Sequence, residues 1–341
     1  MGKYKKNLIF VAVSIAALAF YIIFFEGVGE FIALFHTMRW NWLFAGLGCL
    51  AAYLLLEGSI LHLMTRQLDA RQSFGQSMRV ALIGQFFNCI TPCASGGQPM
   101  QAYEMHKNGV NLGTATTALV GKFIVYQLVL TGYTLAILIS KIGFFQANVA
   151  AFSYLAILGF LINLGVALGL LGIAFFPRKV EKFCLWLGRL LTRMKLMKHY
   201  DAYEAKVADT VDTFYHDFQR LHRNIPLLFQ SAVLTVVQLT FFLLIPFTIC
   251  RSLGVEGFDV ITVMSAAAFV MMISAFVPIP GTIGAAEGTF YIFFSLFFPS
   301  NIIYMAILFW RLYTFYFPIL IGGVSTLLPR AKQRLTAVTH S

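Results

Sequence analysis

Thr91-Pro92-Cys93-Ala94-Ser95-Gly96-Gly97-Gln98-Pro99 interrupts an apolar run that covers residues 79–107. Neither arm of that run can cross a hydrocarbon layer alone, which takes about 20 helical residues. Two prolines and a Gly-Gly pair do not continue a helix. Irregular backbone at membrane depth is tolerated only where protein or a water-filled cavity covers it. The stretch therefore predicts a helix–break–helix hairpin that dips into the membrane and returns. Pro278-Ile279-Pro280-Gly281-Thr282-Ile283-Gly284-Ala285-Ala286-Glu287-Gly288 breaks a second apolar run, over 260–298, in the same way, although 260–277 is nearly long enough to cross by itself.

Outward from the two breaks, continuous apolar runs at 8–25, 41–64, 113–139, 150–176, 226–250 and 301–328 predict full spans. Of the 341 residues 59% are apolar or aromatic and 11% are charged, with a mean hydropathy of +0.78. A soluble domain carries about 25% charged residues, so a soluble enzyme, a disordered tail and a secreted disulfide scaffold are excluded. The fold class is all-α: a single polytopic membrane domain of about six spans plus two re-entrant hairpins. The N-terminal run, behind Lys3, Lys5 and Lys6, looks like a signal peptide but exceeds the usual apolar length, and bulky Phe20 and Tyr21 follow Ala17–Ala19; it reads as a retained span. Cys49, Cys89, Cys93, Cys184 and Cys250 have no zinc or redox spacing and read as small membrane-buried residues.

Charge placement gives the orientation. With the N-terminus inside, the cytoplasmic segments collect 20 of the 25 Lys and Arg residues, ten of them between Arg178 and Arg223. The outer loops receive Arg39, Lys141 and Arg251, beside Glu26, Glu30, Glu256 and Asp259, while Lys122 and Arg311 fall inside spans. Both termini are thus expected in the cytoplasm. The first hairpin then enters from inside and the second from outside. Span, hairpin, span over 41–140 and again over 226–328 is the layout of an inverted repeat, whose paired broken segments point to a substrate site at mid-membrane. Gln98 to Lys122 and Glu287 to Arg311 are both 24 residues apart, which supports the repeat. The one long aqueous stretch, 177–225, mixes Lys and Arg with Phe183, Trp186, Leu187 and Leu190. It is read either as a basic amphipathic element on an anionic leaflet or as a solvated linker.

Charges inside a membrane are default site candidates: Glu57, Lys122, Glu287 and Arg311. The alternative is that they pair with one another to fasten helices. His62 reads as an interfacial residue. Ser95, Gly96, Gly97 and Gln98 can turn backbone N–H groups toward one point, with Pro99 as the first residue of the returning helix. Gly281 and Gly284 precede a second returning helix that starts near Ala285. Two positive helix ends and two cations suit a bound anion, the lipid phosphate above all. Against this, Gly284/Gly288 and Gly165/Gly169 are small-residue pairs that let helices approach. No Walker loop, dinucleotide fingerprint, zincin or nucleophile-elbow motif is present, so no catalytic residue, cofactor, metal or bound nucleic acid is expected. A homo-oligomer is left open.

Residues 86–103, Phe-Phe-Asn-Cys-Ile-Thr-Pro-Cys-Ala-Ser-Gly-Gly-Gln-Pro-Met-Gln-Ala-Tyr, resemble the N-terminal signature of the lysylphosphatidylglycerol synthase/flippase transmembrane family. The break at 278–288 followed by Trp310-Arg311-Leu312-Tyr313 resembles its C-terminal signature, and the likeness runs over the whole chain. It implies a multi-pass protein of the bacterial plasma membrane that moves lipids such as lysylphosphatidylglycerol between leaflets, with Glu287 and Arg311 as the carried-over motif residues. Many relatives carry Gly-Gly-Glu and a following Arg where this chain has Gly97-Gln98 and Gln101, which bears on any charged lipid contact in the first hairpin. The soluble lysyltransferase domain of the two-domain relatives, such as the multiple peptide resistance factor, is expected to be missing. The expectation is a lipid flippase or scramblase-like transporter; alternatives are a lysyltransferase acting with a separate catalytic subunit and a carrier of polyprenyl-phosphate-linked sugars.

Overall fold

The computed structural model describes residues 36–68, 72–149, 152–193, 200–274, 277 and 279–328. The span expected at 8–25, residues 194–199 of the basic segment, and Arg330, Lys332 and Arg334 lie outside the described residues. Among the described residues the chain is all-helical.

Four helices build the first half. Helix α1 (Trp40–Gln67) is followed by the hairpin arms α2 (Phe74–Ile90) and α3 (Gly97–Lys107), and then by α4 (Leu112–Asn148). Ser73 and Gln76 form a reciprocal capping box that starts α2, and Asn111 caps α4 by accepting from the Gly113 N–H. The break is a short 3-10 turn, Pro92–Ala94, in which Cys93 and Ala94 take positive φ. The returning helix starts at Gly97 rather than at Pro99; Pro99 sits in its first turn, where a missing N–H is equally free of cost.

The second half repeats the order. It comprises α8 (Ile225–Ser252), arms α9 (Val260–Ser274) and α10 (Ala285–Phe294), and a long helix in two parts, α11 (Ile303–Arg311) and α12 (Phe317–Leu327), joined by a π-turn at Leu312–Tyr316. Between the halves lie α5 (Phe152–Phe175), α6 (Pro177–Arg193) and α7 (Tyr200–His222). Four stretches are long and apolar enough to cross a membrane: Trp40–Gln67, Leu112–Ile137, Ile225–Ser252 and Ile303–Leu327. They coincide with four expected spans. The fifth, expected at 150–176, forms α5, with an apolar core at Ile157–Gly172. Arm α9 has 15 residues, about 22 Å at the rise of an α-helix. The described helix is therefore shorter than a full span, as the entering arm of a hairpin would be.

The packing is reciprocal. Helices α1 and α8 form the central pair; α2 lies on α12 as α9 lies on α4, and the two break turns touch. The hairpins open at opposite ends of the bundle. At one end the Arg39 N–H donates to the Ser252 carbonyl at 2.9 Å and Lys141 pairs with Asp259, where α9 begins. At the other end Arg79, near the start of α2, donates to the Leu328 carbonyl beyond α12. The largest apolar cluster surrounds the second hairpin, where Phe290, Phe293 and Phe294 are fully buried and Phe269 stacks on Phe293. The small-residue pairs read as sites of close helix approach make none among the described residues: a Cβ added at Gly165, Gly169, Gly284 or Gly288 would meet none of them within 4 Å. The close approaches are elsewhere, as at Gly322 of α12, where an added Cβ would lie 2.4 Å from the Leu82 carbonyl oxygen of α2.

Candidate functional site

Where the two tips meet, they and the surrounding helices enclose a cavity of about 640 Å³. Its wall brings together five of the residues picked from the sequence: Glu57, Gln98, Lys122, Gly281 and Arg311. Glu287 stands behind Arg311 and holds it, while Gly96, Gly97 and Gly284 shape the tips without lining the cavity. A larger groove, about 790 Å³, lies apart from the breaks, between α7 and the start of α6.

The charges form two pairs, the alternative that the sequence left open beside an anion site. Lys122 on α4 is ion-paired with Glu57 on α1, and the second Glu57 oxygen accepts from Gln238 Nε2 of α8 at 2.8 Å. Glu57 is 8% exposed, Lys122 9% and Arg311 6%. Desolvating a lone charge at such depth costs far more than a pair recovers in water, so each cation recruits its own carboxylate. Arg311 is the more heavily committed. Its Nε donates to Glu287 Oε1 at 2.7 Å, Nη1 to the Gly281 carbonyl at 3.2 Å and Nη2 to the Thr282 carbonyl at 3.3 Å. Glu287 Oε2 in turn accepts the Gly284 N–H at 2.7 Å, at the start of α10. One guanidinium thus fastens both the backbone of the break and the carboxylate that caps the returning helix.

The two halves do not use the matched spacing alike. Glu287 is the third residue of α10, whereas Gln98 is the second of α3. Lys122 finds its carboxylate on α1 instead of on its hairpin. The first hairpin is closed at its base by Arg79 Nε and Glu104 Oε1, 3.3 Å apart. Sequence reasoning missed this pair because Arg79 was counted among the topological charges; the polar row Gln98, Gln101 and Glu104 on one short helix was the available signal. It also passed over isolated amides and phenols inside apolar runs. Gln85, Asn88, Gln127, Asn163, Tyr53 and Tyr126 all line the cavity, and Gln127 Nε2 donates to Asn163 Oδ1 at 2.9 Å.

Other single residues fall into place more simply. His62 Nδ1 lies 3.3 Å from Ser77 Oγ, between α1 and α2, with its ring edge-on to Phe74. The five cysteines are free; Cys250 is buried, but Cys93 is exposed at the first tip. The Ser274 hydroxyl, at the end of α9 in the cavity wall, is buried and without a hydrogen-bond partner among the described residues. Its position leaves a donor and acceptor to serve whatever fills the cavity.

A UPF0104 membrane protein of Archaeoglobus fulgidus is 24% identical over 299 residues, spanning 84% of this chain and 87% of that protein. The family model described as the lysylphosphatidylglycerol synthase TM region matches residues 9–322. With that model matched over most of its length, the chain belongs to the lysylphosphatidylglycerol synthase transmembrane family.

Proposed function

We propose that this protein moves a lipid between leaflets, its head group passing through the cavity between the hairpin tips while its acyl chains stay in the bilayer. The carrying observation is the polar cavity itself, set where two hairpins from opposite ends meet. The halves 41–140 and 226–328 act in this reading as an inverted repeat, and rocking of one hairpin against the other opens the cavity to each side in turn. The charge asymmetry of the loops supports cytoplasmic termini and a cell-membrane location.

The ion pairs refine the substrate. Two cations and two carboxylates leave the site with no net charge, so a bare anion would add an uncompensated charge in a low dielectric. A head group that combines a phosphate with a protonated amine avoids that penalty. Lys122 keeps ammonium protons beyond the one shared with Glu57, so it can donate to a phosphate oxygen without leaving its carboxylate. The amides Gln85, Asn88, Gln98 and Gln101 and the indole of Trp310 favour, as a second reading, a sugar-bearing lipid phosphate.

Reconstitution into liposomes with head-group-labelled lipids tests the proposal. Exchange between leaflets should exceed that of protein-free vesicles for at least one phosphate lipid. No excess for lysyl-, unmodified or glycosylated lipids would overturn it.

A further inference from the structure

Residues 177–223 separate into two helices with opposite charge. Helix α6 carries Arg178, Lys179, Lys182, Arg189 and Arg193 against Glu181 alone, whereas α7 carries Asp201, Glu204, Asp209, Asp212 and Asp217 against Lys206 and Arg220. Five of the ten cations between Arg178 and Arg223 thus stand on α6, which is net positive beside a net negative α7. Helix α7 is consumed by the bundle: Phe214, Phe218 and Leu221 are buried, and Thr114 of α4 donates to Asp217 at 2.6 Å. It closes one face of α6 as well, with Tyr203 over Gly188, the Tyr203 hydroxyl donating to the Cys184 carbonyl and Arg189 donating to the Tyr200 hydroxyl.

The other face of α6 has no protein cover among the described residues. Phe183 and Trp186, stacked on each other, are 60% and 57% exposed, and Leu187 and Leu190 continue the apolar stripe. Lys179 and Lys182 flank it at one end and Arg193 at the other, all exposed. Helix α6 begins directly where the apolar α5 ends; α5 exposes Ile157, Leu158, Leu161 and Leu168 along its length, while Phe175 at its end packs edge-on against Phe218 and His222 of α7. The α6 stripe therefore lies at the level where that apolar helix ends. An apolar stripe rimmed with cations at that depth has the chemistry of a helix lying in the head-group layer.

We propose that the exposed face of α6 is a binding site for anionic lipid head groups of the adjoining leaflet, with Phe183, Trp186 and Leu190 seated among the acyl chains and Lys179, Lys182 and Arg193 on the phosphates. The site is separate from the central cavity and does not depend on lipid movement through it.

Trp186 supplies its own probe. The full-length protein and its Trp186→Phe variant are placed in vesicles holding nitroxide-labelled phosphatidylglycerol or nitroxide-labelled phosphatidylcholine, and the difference in quenched emission reports Trp186. Quenching should be stronger with the anionic probe, by about fivefold in effective affinity for each cation that contributes at low salt. The exposed triple variant Lys179→Gln/Lys182→Gln/Arg193→Gln, whose helix keeps its apolar stripe, should lose most of that preference. Absence of Trp186 quenching by either lipid would overturn the proposal. Equal quenching by both would overturn its anionic selectivity, and quenching that appears only when each vesicle holds one copy would assign the face to contact between copies.

Discussion

The two hairpins share a shape but are held differently. The second is tied at its tip: Arg311 grips Gly281, Thr282 and Glu287, and its returning arm is rich in phenylalanine packed into the largest apolar cluster. The first is tied at its base by Arg79 and Glu104, and its returning arm is polar, with Gln98 and Gln101 facing the cavity. Its tip carries no ionised side chain, and the nearby cation Lys122 is paired with the frame helix α1. A polar, loosely fastened arm facing an aromatic, anchored one suggests that the first hairpin adapts to the head group while the second provides a fixed wall.

The strongest way to break that contrast is to remove Arg311. Arg311→Gln should cost about 3–5 kcal/mol, the range for stripping one partner from a buried ion pair, and should abolish most lipid exchange. Adding Glu287→Gln should not restore either, because the carbonyls of Gly281 and Thr282 stay without their donor. Arg311→Lys should fail as well, since an ammonium cannot serve three acceptors in a fork. Unfolding in mixed micelles and exchange in liposomes check both quantities. Full recovery in the double variant would show that Arg311 merely neutralises Glu287.

The first pair should behave in the opposite manner. Glu57→Gln leaves Lys122 buried beside an amide, for a loss of about 3 kcal/mol. Glu57→Gln/Lys122→Met removes both charges and should regain most of that stability while still slowing exchange of phosphate lipids. A double variant as unstable as Glu57→Gln would mean that the pair, like Arg311, holds backbone in place.

These two pairs also mark how far the sequence could be read. The breaks were legible because Gly and Pro are scarce punctuation in apolar runs, and helix starts at Ala285 and near Pro99 followed to within two residues. The intramembrane charges were legible because each costs so much to bury. What they bind was not. Glu57 and Lys122 lie 65 residues apart, and their meeting depends on the rotation of two helices that no local pattern fixes. The matched 24-residue spacing pointed to Gln98 as the counterpart of Glu287, yet the two sit at different positions in their helices. Amides such as Gln127 and Asn163 escaped notice because a neutral side chain leaves little trace in hydropathy.

A smaller effect separates the two tips at their glycines. Gly281 has φ +63°, and an added Cβ would lie 2.2 Å from the Phe315 ring. Gly281→Ala therefore combines backbone strain with a collision against a buried ring, for about 1–3 kcal/mol. An added Cβ at Gly97 would lie 2.0 Å from Asn88 Oδ1, but Asn88 is one rotatable side chain at a polar cavity wall and can turn aside. Gly97→Ala should cost less in stability than Gly281→Ala and alter exchange more. The reverse order in melting temperature would contradict an adaptable first tip.

The smallest expected effect lies at the mouth of the second hairpin. Asp259, just ahead of α9, is drawn upward by partial burial, but hydrogen bonds from Thr262 and Lys141 and the charge of Lys141 hold its carboxyl below the ordinary 3.8. A carboxyl whose folded value is depressed stabilises the fold above its unfolded value and loses that contribution as pH falls through the folded one. The melting temperature of Asp259→Asn should therefore sit slightly below that of the unaltered protein at neutral pH, by a gap that stays constant down to about pH 5. The gap should close in more acidic buffer as the native carboxyl protonates. The carboxylate is half exposed, so screening keeps the contribution small, and added salt should shrink it further. If the anchored character of this hairpin comes from its tip and its phenylalanine arm, losing the Lys141 link at the mouth should leave lipid exchange unchanged. A marked loss of exchange in Asp259→Asn would move the anchor from Arg311 to the mouth and undo the contrast between the hairpins.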